Sequence, residues 1–142
     1  MTEEQINLVQ DAWDKIAPHS QAFFADMYQA LFRLDPTLEP LFQLPLEVRA
    51  QKLAFTLNAI ITSLSNFDEI RFVLLRLGAQ HVKFGTRVEH FPILKLALIE
   101  TLQKYLAGDF TARQAQAWSD AYELIAAVLI EGMEKERQRQ TV

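Results

Sequence analysis

Apolar residues recur at helical spacing along almost the whole chain. The first such segment opens with a capping box at Thr2–Gln5 and runs to about Ile16. Six further segments follow, at about Ser20–Leu34, Pro36–Phe42, Leu46–Leu64, Phe67–His81, Phe91–Leu106 and Thr111–Glu136. No segment alternates with period two, so the pattern predicts an all-α fold with seven or eight helices.

Capping and helix-breaking residues predict where these helices begin and end. Asn66 is a candidate N-cap for the fifth segment, and Gly108 is expected to close the sixth. Thr111–Gln114 has the pattern of a second capping box. The last helix is expected to fray after Glu136 into a charged tail.

Composition favours one packed domain over residues 1–142 and excludes several functions. Half of the residues are apolar, ten are Phe, and Gly and Pro are sparse. A net charge of −4 argues against nucleic acid as a partner, and the absence of Cys excludes thiolate and iron–sulfur chemistry. The N-terminus is polar and no apolar run reaches the ~18 residues of a membrane span, which predicts a cytoplasmic protein without a membrane partner.

His81 is the strongest candidate for chemistry. It lies near the end of an apolar-periodic helix and is flanked by Gly78 and Gly85, which allow the backbone or a flat ligand to approach closely. A histidine on such a face is most often a hydrogen-bonded core residue. Two further residues favour a metal-binding histidine over a core histidine. Phe42 lies at a Pro-rich corner, where an aromatic ring can stack on a planar cofactor, and Tyr28 lies on an apolar helix face. The three residues together indicate a haem pocket in which one imidazole holds the iron.

Five segments carry a resemblance to a known family. They are the first helix with Trp13, the runs 34–42 (LDPTLEPLF) and 77–81 (LGAQH), and the runs 89–92 (EHFP) and 117–126 (AWSDAYELIA). In order and spacing the chain resembles the globins, especially single-domain bacterial haemoglobins, neuroglobins and the head domains of flavohaemoglobins. The resemblance implies a globin fold with haem b held in a pocket between the helices.

On the proximal side, the resemblance makes His81 the iron ligand and Phe42 the residue that stacks on the haem. The second ring nitrogen of His81 is expected to donate its N–H to the Leu77 carbonyl. Phe91 and Met133 stand where flavohaemoglobins carry a tyrosine and a glutamate that polarise the imidazole. This difference weakens the case for a dedicated peroxidase or oxygen-activating enzyme.

On the distal side, the resemblance places Arg49 where neuroglobins carry histidine and flavohaemoglobins glutamine, 32 residues before His81. Arg49 either donates to the ligand or swings out to a haem propionate, and the cost of burying a charge favours an outward or mobile side chain. Lys52 is either a propionate partner or a solvated lysine. Tyr28 is expected to donate a hydrogen bond to O₂, with core filling as the alternative.

The remaining residues of the pocket wall follow from the same match. The resemblance places Leu46, Leu53 and Leu57 on the distal helix, with Leu53 also in the O₂ pocket together with Tyr28 and Arg49. The proximal and rear walls are expected to include Leu77, Thr86, Phe91, Leu94, Tyr122 and Val128. Most of these residues would be buried in any helical bundle, so they discriminate little between functions.

Four functions are compatible with this reading. The first is reversible binding of O₂, and of CO and NO, at a five-coordinate ferrous haem. The second is NO dioxygenation, for which an external reductase would be a partner because the sequence contains no flavin domain. A gas or redox sensor that acts through a partner is the third, and a haem-free helical scaffold is the fourth. His19 and His90 are expected to be exposed or corner residues rather than iron ligands.

Overall fold

A computed structural model describes residues 1–141 and contains no strand within them. The described residues form six α-helices, namely α1 Glu3–Ile16, α2 Ser20–Leu34, α3 Leu46–Thr62, α4 Phe67–Lys83, α5 Phe91–Leu106 and α6 Ala112–Gln140. Five short 3₁₀ helices connect them in this part of the chain, and the longest, Pro36–Leu41, is the predicted short helix after α2. The all-α prediction is therefore confirmed. None of the helices in this part of the chain is long and apolar enough to cross a membrane.

The two predicted capping boxes have different outcomes. At Thr2 the reciprocal bonds both form, because its hydroxyl accepts from the Gln5 N–H and the Gln5 side chain accepts from the Thr2 N–H. At Thr111 the hydroxyl accepts from the Gln114 N–H, but the Gln114 amide donates to the Leu8 carbonyl at 2.9 Å. The second box is thus only half formed, because the Gln114 side chain has a tertiary partner on α1.

Several predicted helix ends also differ from the structure. Helix α3 ends at Thr62 rather than Leu64, and α4 continues to Lys83 rather than ending at His81. The residue that turns the chain after α5 is Ala107, with φ of +46°, and Gly108 follows it in a 3₁₀ turn. Asn66 precedes α4 but makes no side-chain capping bond. Helix α6 continues to Gln140 instead of fraying after Glu136. An ion pair between Arg139 and Glu136 at 3.5 Å, one turn apart, supports the added turn.

Helices α4 and α6 cross with their backbones in contact. A Cβ atom added at Gly78 would lie 2.1 Å from the Leu129 carbonyl oxygen, and one added at Gly132 would lie 2.1 Å from the Leu75 carbonyl oxygen. The close approach that Gly78 was predicted to allow is therefore made by the α6 backbone. This crossing fixes α4, and with it His81, against the longest helix of the chain.

Helices α3 and α4 belong to different parts of the packing. Helix α3 packs mainly against α2, whereas α4 packs mainly against α6. The first apolar cluster is centred on α1, α2 and α5, and Phe23, Phe24 and Leu102 are among its most deeply buried residues. The second, which includes Leu74 and Met133, joins α4 to α6. The candidate residues Leu53 and Leu57 of α3 therefore pack against the first cluster, and Leu77 of α4 packs against the second.

Candidate functional site

His81 lies half-buried near the C-terminal end of α4, with its ring anchored by the helix itself. Its Nδ1 atom lies 2.7 Å from the Leu77 carbonyl oxygen, one turn earlier. A carbonyl can only accept a hydrogen bond, so Nδ1 carries the proton and Nε2 keeps a free lone pair. The predicted hydrogen bond to Leu77 is confirmed. This is the tautomer that an axial histidine needs, because a metal binds the unprotonated nitrogen.

Three aromatic side chains meet between α2 and the corner that follows it. The ring centroids of Tyr28 and Phe42 are 5.3 Å apart, those of Phe32 and Phe42 are 5.5 Å apart, and those of Tyr28 and Phe32 are 6.2 Å apart. We call these three residues the aromatic cluster. Phe32 was not among the predicted site residues, although its position four residues after Tyr28 on α2 placed it on the same helix face.

Arg49 of α3 lies on the aromatic cluster. Its guanidinium carbon is 4.7 Å from the ring centroid of Tyr28, 5.5 Å from that of Phe42 and 5.8 Å from that of Phe32. Its Nε donates to the Leu44 carbonyl at 2.8 Å, while Nη1 is buried without an acceptor among residues 1–141. The sequence favoured an outward or mobile side chain, whereas in this structure the side chain lies half-buried against the aromatic cluster. The three aromatic faces attract the cation, and the Leu44 carbonyl accepts from its Nε. We call the surroundings of this guanidinium, formed by Tyr28, Phe32 and Phe42, the distal pocket.

Tyr28 borders the distal pocket with a protonated hydroxyl. The side chain is only 7% exposed. Burial raises the pKa of its phenol, because desolvation disfavours the phenolate, and the positive charge of Arg49 partly opposes this effect. The hydroxyl has no hydrogen-bond partner within the described part of the chain. Tyr28 is thus a neutral donor whose O–H is available to a ligand.

The predicted wall residues differ in how far they are buried. Most are half-buried, and these are Phe42, Leu46, Arg49, Leu53, Leu57, Leu77, Thr86, Leu94 and Tyr122. Phe91 and Val128 are buried, and Lys52 is exposed three residues after Arg49. Apolar side chains that are only half-buried suit contact with a flat apolar group.

The two positions where flavohaemoglobins carry polar residues are apolar and buried in this structure. Phe91 and Met133 belong to the same cluster, which joins α4 to α6. The Tyr122 hydroxyl donates to the Phe91 carbonyl at 2.6 Å, and burial followed by the charge of Glu123 raises its pKa, so the phenol stays protonated. The hydrogen bond of the His81 ring goes to a neutral carbonyl, which polarises an imidazole less than a carboxylate does.

These residues fit a haem group in their donor chemistry. His81 offers one neutral nitrogen, the aromatic cluster offers flat faces, and the half-buried leucines offer apolar walls. The buried Nη1 of Arg49 and the hydroxyl of Tyr28 supply two polar donors in the distal pocket. The described residues contain no cluster of three or more His, Cys, Asp or Glu side chains that could hold a metal ion by themselves.

Comparisons with known proteins point the same way. A solved structure of an engineered carbene transferase, derived from a proposed nitric oxide dioxygenase of Rhodothermus marinus, is 30% identical; the match covers 99% of this chain and 96% of that one, with a TM-score of 0.85. An anaerobic nitrite reductase, HBII of Casuarina glauca, is 27% identical over 92% of this chain and 91% of its own. Neuroglobin-1 of Oncorhynchus mykiss is 24% identical over 99% of this chain and 98% of its own. The globin family model matches residues 25–129, and the chain therefore belongs to the globin family, which implies a haem cofactor.

Proposed function

We propose that this globin holds haem b through His81 and reversibly binds diatomic gases, O₂ above all and also CO and NO. The observation that carries the proposal is the 2.7 Å hydrogen bond between His81 Nδ1 and the Leu77 carbonyl. It leaves Nε2 as the nitrogen that could bind iron. Haem held by His81 would supply a ferrous iron that binds the gas molecule.

The side chains of the chain itself would tune this binding. Phe42 would pack against the porphyrin, and Leu53 and Leu57 would keep water from the gas. Tyr28 would donate its hydroxyl to O₂, a neutral hydrogen bond that contributes roughly 1 kcal/mol. Because Tyr28 is protonated well above neutral pH, this donor would be present throughout the physiological range.

The partner of the His81 ring supports gas binding over peroxidase chemistry. A carboxylate beside the proximal imidazole would increase electron donation to iron, but the partner here is the neutral Leu77 carbonyl. Phe91 and Met133 carry no carboxylate either and are buried in an apolar cluster. We therefore propose that the main role of the protein is binding, storage or scavenging of a gas.

Absorption spectra of the ferric, ferrous and CO-bound protein test the proposal. His81→Ala should abolish stoichiometric haem binding or replace the spectrum of an axial histidine with that of another ligand. His19→Ala is a matched control, because His19 is an exposed residue in the turn between α1 and α2. His90→Ala is a second control, because the His90 ring only accepts from the Arg87 N–H at 3.0 Å. Unaltered spectra in His81→Ala would refute the proposal.

NO dioxygenation is a second candidate function. It is favoured by the 30% identity to a protein described as a proposed nitric oxide dioxygenase and by the donor position of Tyr28. The overall reaction combines NO, O₂ and one electron into nitrate, so turnover would require an external reductase. NO consumption by the O₂-loaded protein with a flavin reductase, compared with free haem, tests it. A rate no faster than that of free haem would exclude this function.

A further inference from the structure

Arg49 places an uncompensated positive charge in the distal pocket. The described part of the chain contains nine ion pairs, and none of them includes Arg49. A guanidinium does not lose its proton under physiological conditions. Its neighbours are instead the faces of Tyr28, Phe32 and Phe42, which attract the cation but leave its charge in place. The distal pocket is thus electropositive.

The hydrogen-bond donors of Arg49 are unequally satisfied. Nε donates to the Leu44 carbonyl at 2.8 Å, which fixes the plane of the group. Nη1 is buried and has no acceptor within residues 1–141. A buried donor without an acceptor is destabilising, and a charged donor more so. The acceptor that would complete this site best is a small anion, because it satisfies the N–H and the positive charge together.

We propose that Arg49 makes the distal pocket selective for small monovalent anions, which it binds through Nη1 while Tyr28 donates from its hydroxyl. The inference rests on the proposed function, because the anion would be the ligand of ferric haem held by His81. A neutral gas such as CO is a weak acceptor and gains little from a guanidinium. Arg49 would therefore raise anion affinity without raising CO affinity.

Spectral titration of the haem-loaded protein tests the proposal, with fluoride and azide added to the ferric form and CO to the ferrous form. A hydrogen bond from a charged donor corresponds to roughly tenfold to hundredfold in affinity. We expect Arg49→Met to weaken fluoride and azide binding by about that factor and to change CO affinity by less than about threefold. Arg49→Gln, which also removes the charge, provides a second variant should Arg49→Met fail to retain haem, and the same loss is expected.

Lys15→Met is the control, because it removes one positive charge from an exposed side chain on α1. Its fluoride and azide affinities should stay within about twofold of the wild type, since a solvated charge is screened. Equal losses in Arg49→Met and Lys15→Met would overturn the proposal in favour of the net charge of the protein. Unchanged fluoride and azide affinity in Arg49→Met, with normal spectra and a normal CO complex, would overturn the role of Arg49 alone. A protein that shows no haem spectrum and no CO complex would overturn the proposed function as well.

Discussion

Substitution of Gly78 by Ala should loosen the helix pair that carries His81. The added Cβ would lie 2.1 Å from the Leu129 carbonyl oxygen, where ordinary contact begins at 3.4 Å. The helices would have to separate by roughly 1 Å, because neither backbone can rotate away as a side chain does. Overpacking of this kind lowers the free energy of unfolding by about 3 kcal/mol at the upper end of its usual range. The higher helix propensity of Ala raises it by about 1 kcal/mol. We expect a net loss of about 2 kcal/mol, or roughly 6 °C in Tm.

Thermal unfolding of the haem-saturated protein, followed by far-UV circular dichroism at fixed concentration, measures this loss. Gly132→Ala should behave alike, since its Cβ would meet the Leu75 carbonyl oxygen at 2.1 Å. Gly108→Ala is the matched control, because a Cβ there meets nothing within 4 Å. If the Tm of Gly78→Ala lay within about 1 °C of the Tm of Gly108→Ala, and the two variants lost haem at the same rate, the backbone contact between α4 and α6 would be disproved.

Two further predictions concern Tyr28 and a surface carboxylate. Tyr28→Phe should speed O₂ release about fivefold in stopped-flow displacement by CO, because it removes one hydrogen bond of roughly 1 kcal/mol; an unchanged rate would exclude that bond. Hydrogen bonds from Tyr105 and Lys104 lower the pKa of Asp26 below its ordinary 3.8, so this stabilisation is complete at neutral pH and is lost as the pH falls through the folded pKa. Between pH 5 and pH 3, the free energy of unfolding measured with urea should therefore fall less in Asp26→Asn than in the wild type. An equal fall in both proteins would contradict this prediction.

Most of the fold could be predicted from local pattern, because apolar spacing and Pro positions determine where helices begin. Helices α2 and α5 have the predicted bounds. Some helix ends that differ from the prediction depend on contacts with residues far away in the sequence. At Thr111, for example, the Gln114 side chain binds the Leu8 carbonyl on α1 instead of completing the capping box. The backbone crossing at Gly78 is a property of the α4–α6 pair, and a lone Gly in a helical pattern does not reveal its partner.

The candidate site divides along the same line. The bond from His81 to Leu77 spans one helical turn, so the spacing was enough to predict it. The orientation of the Arg49 side chain depends on the Leu44 carbonyl and on Phe32, which lie on two other segments. The cost of burying a charge could be anticipated from the sequence, but these two contacts could not. A guanidinium placed over aromatic faces keeps its charge while losing part of its water. The partial loss of water around the guanidinium is the reason that an outward Arg49 was expected. The same loss of water would strengthen the attraction between Arg49 and an anion in the distal pocket.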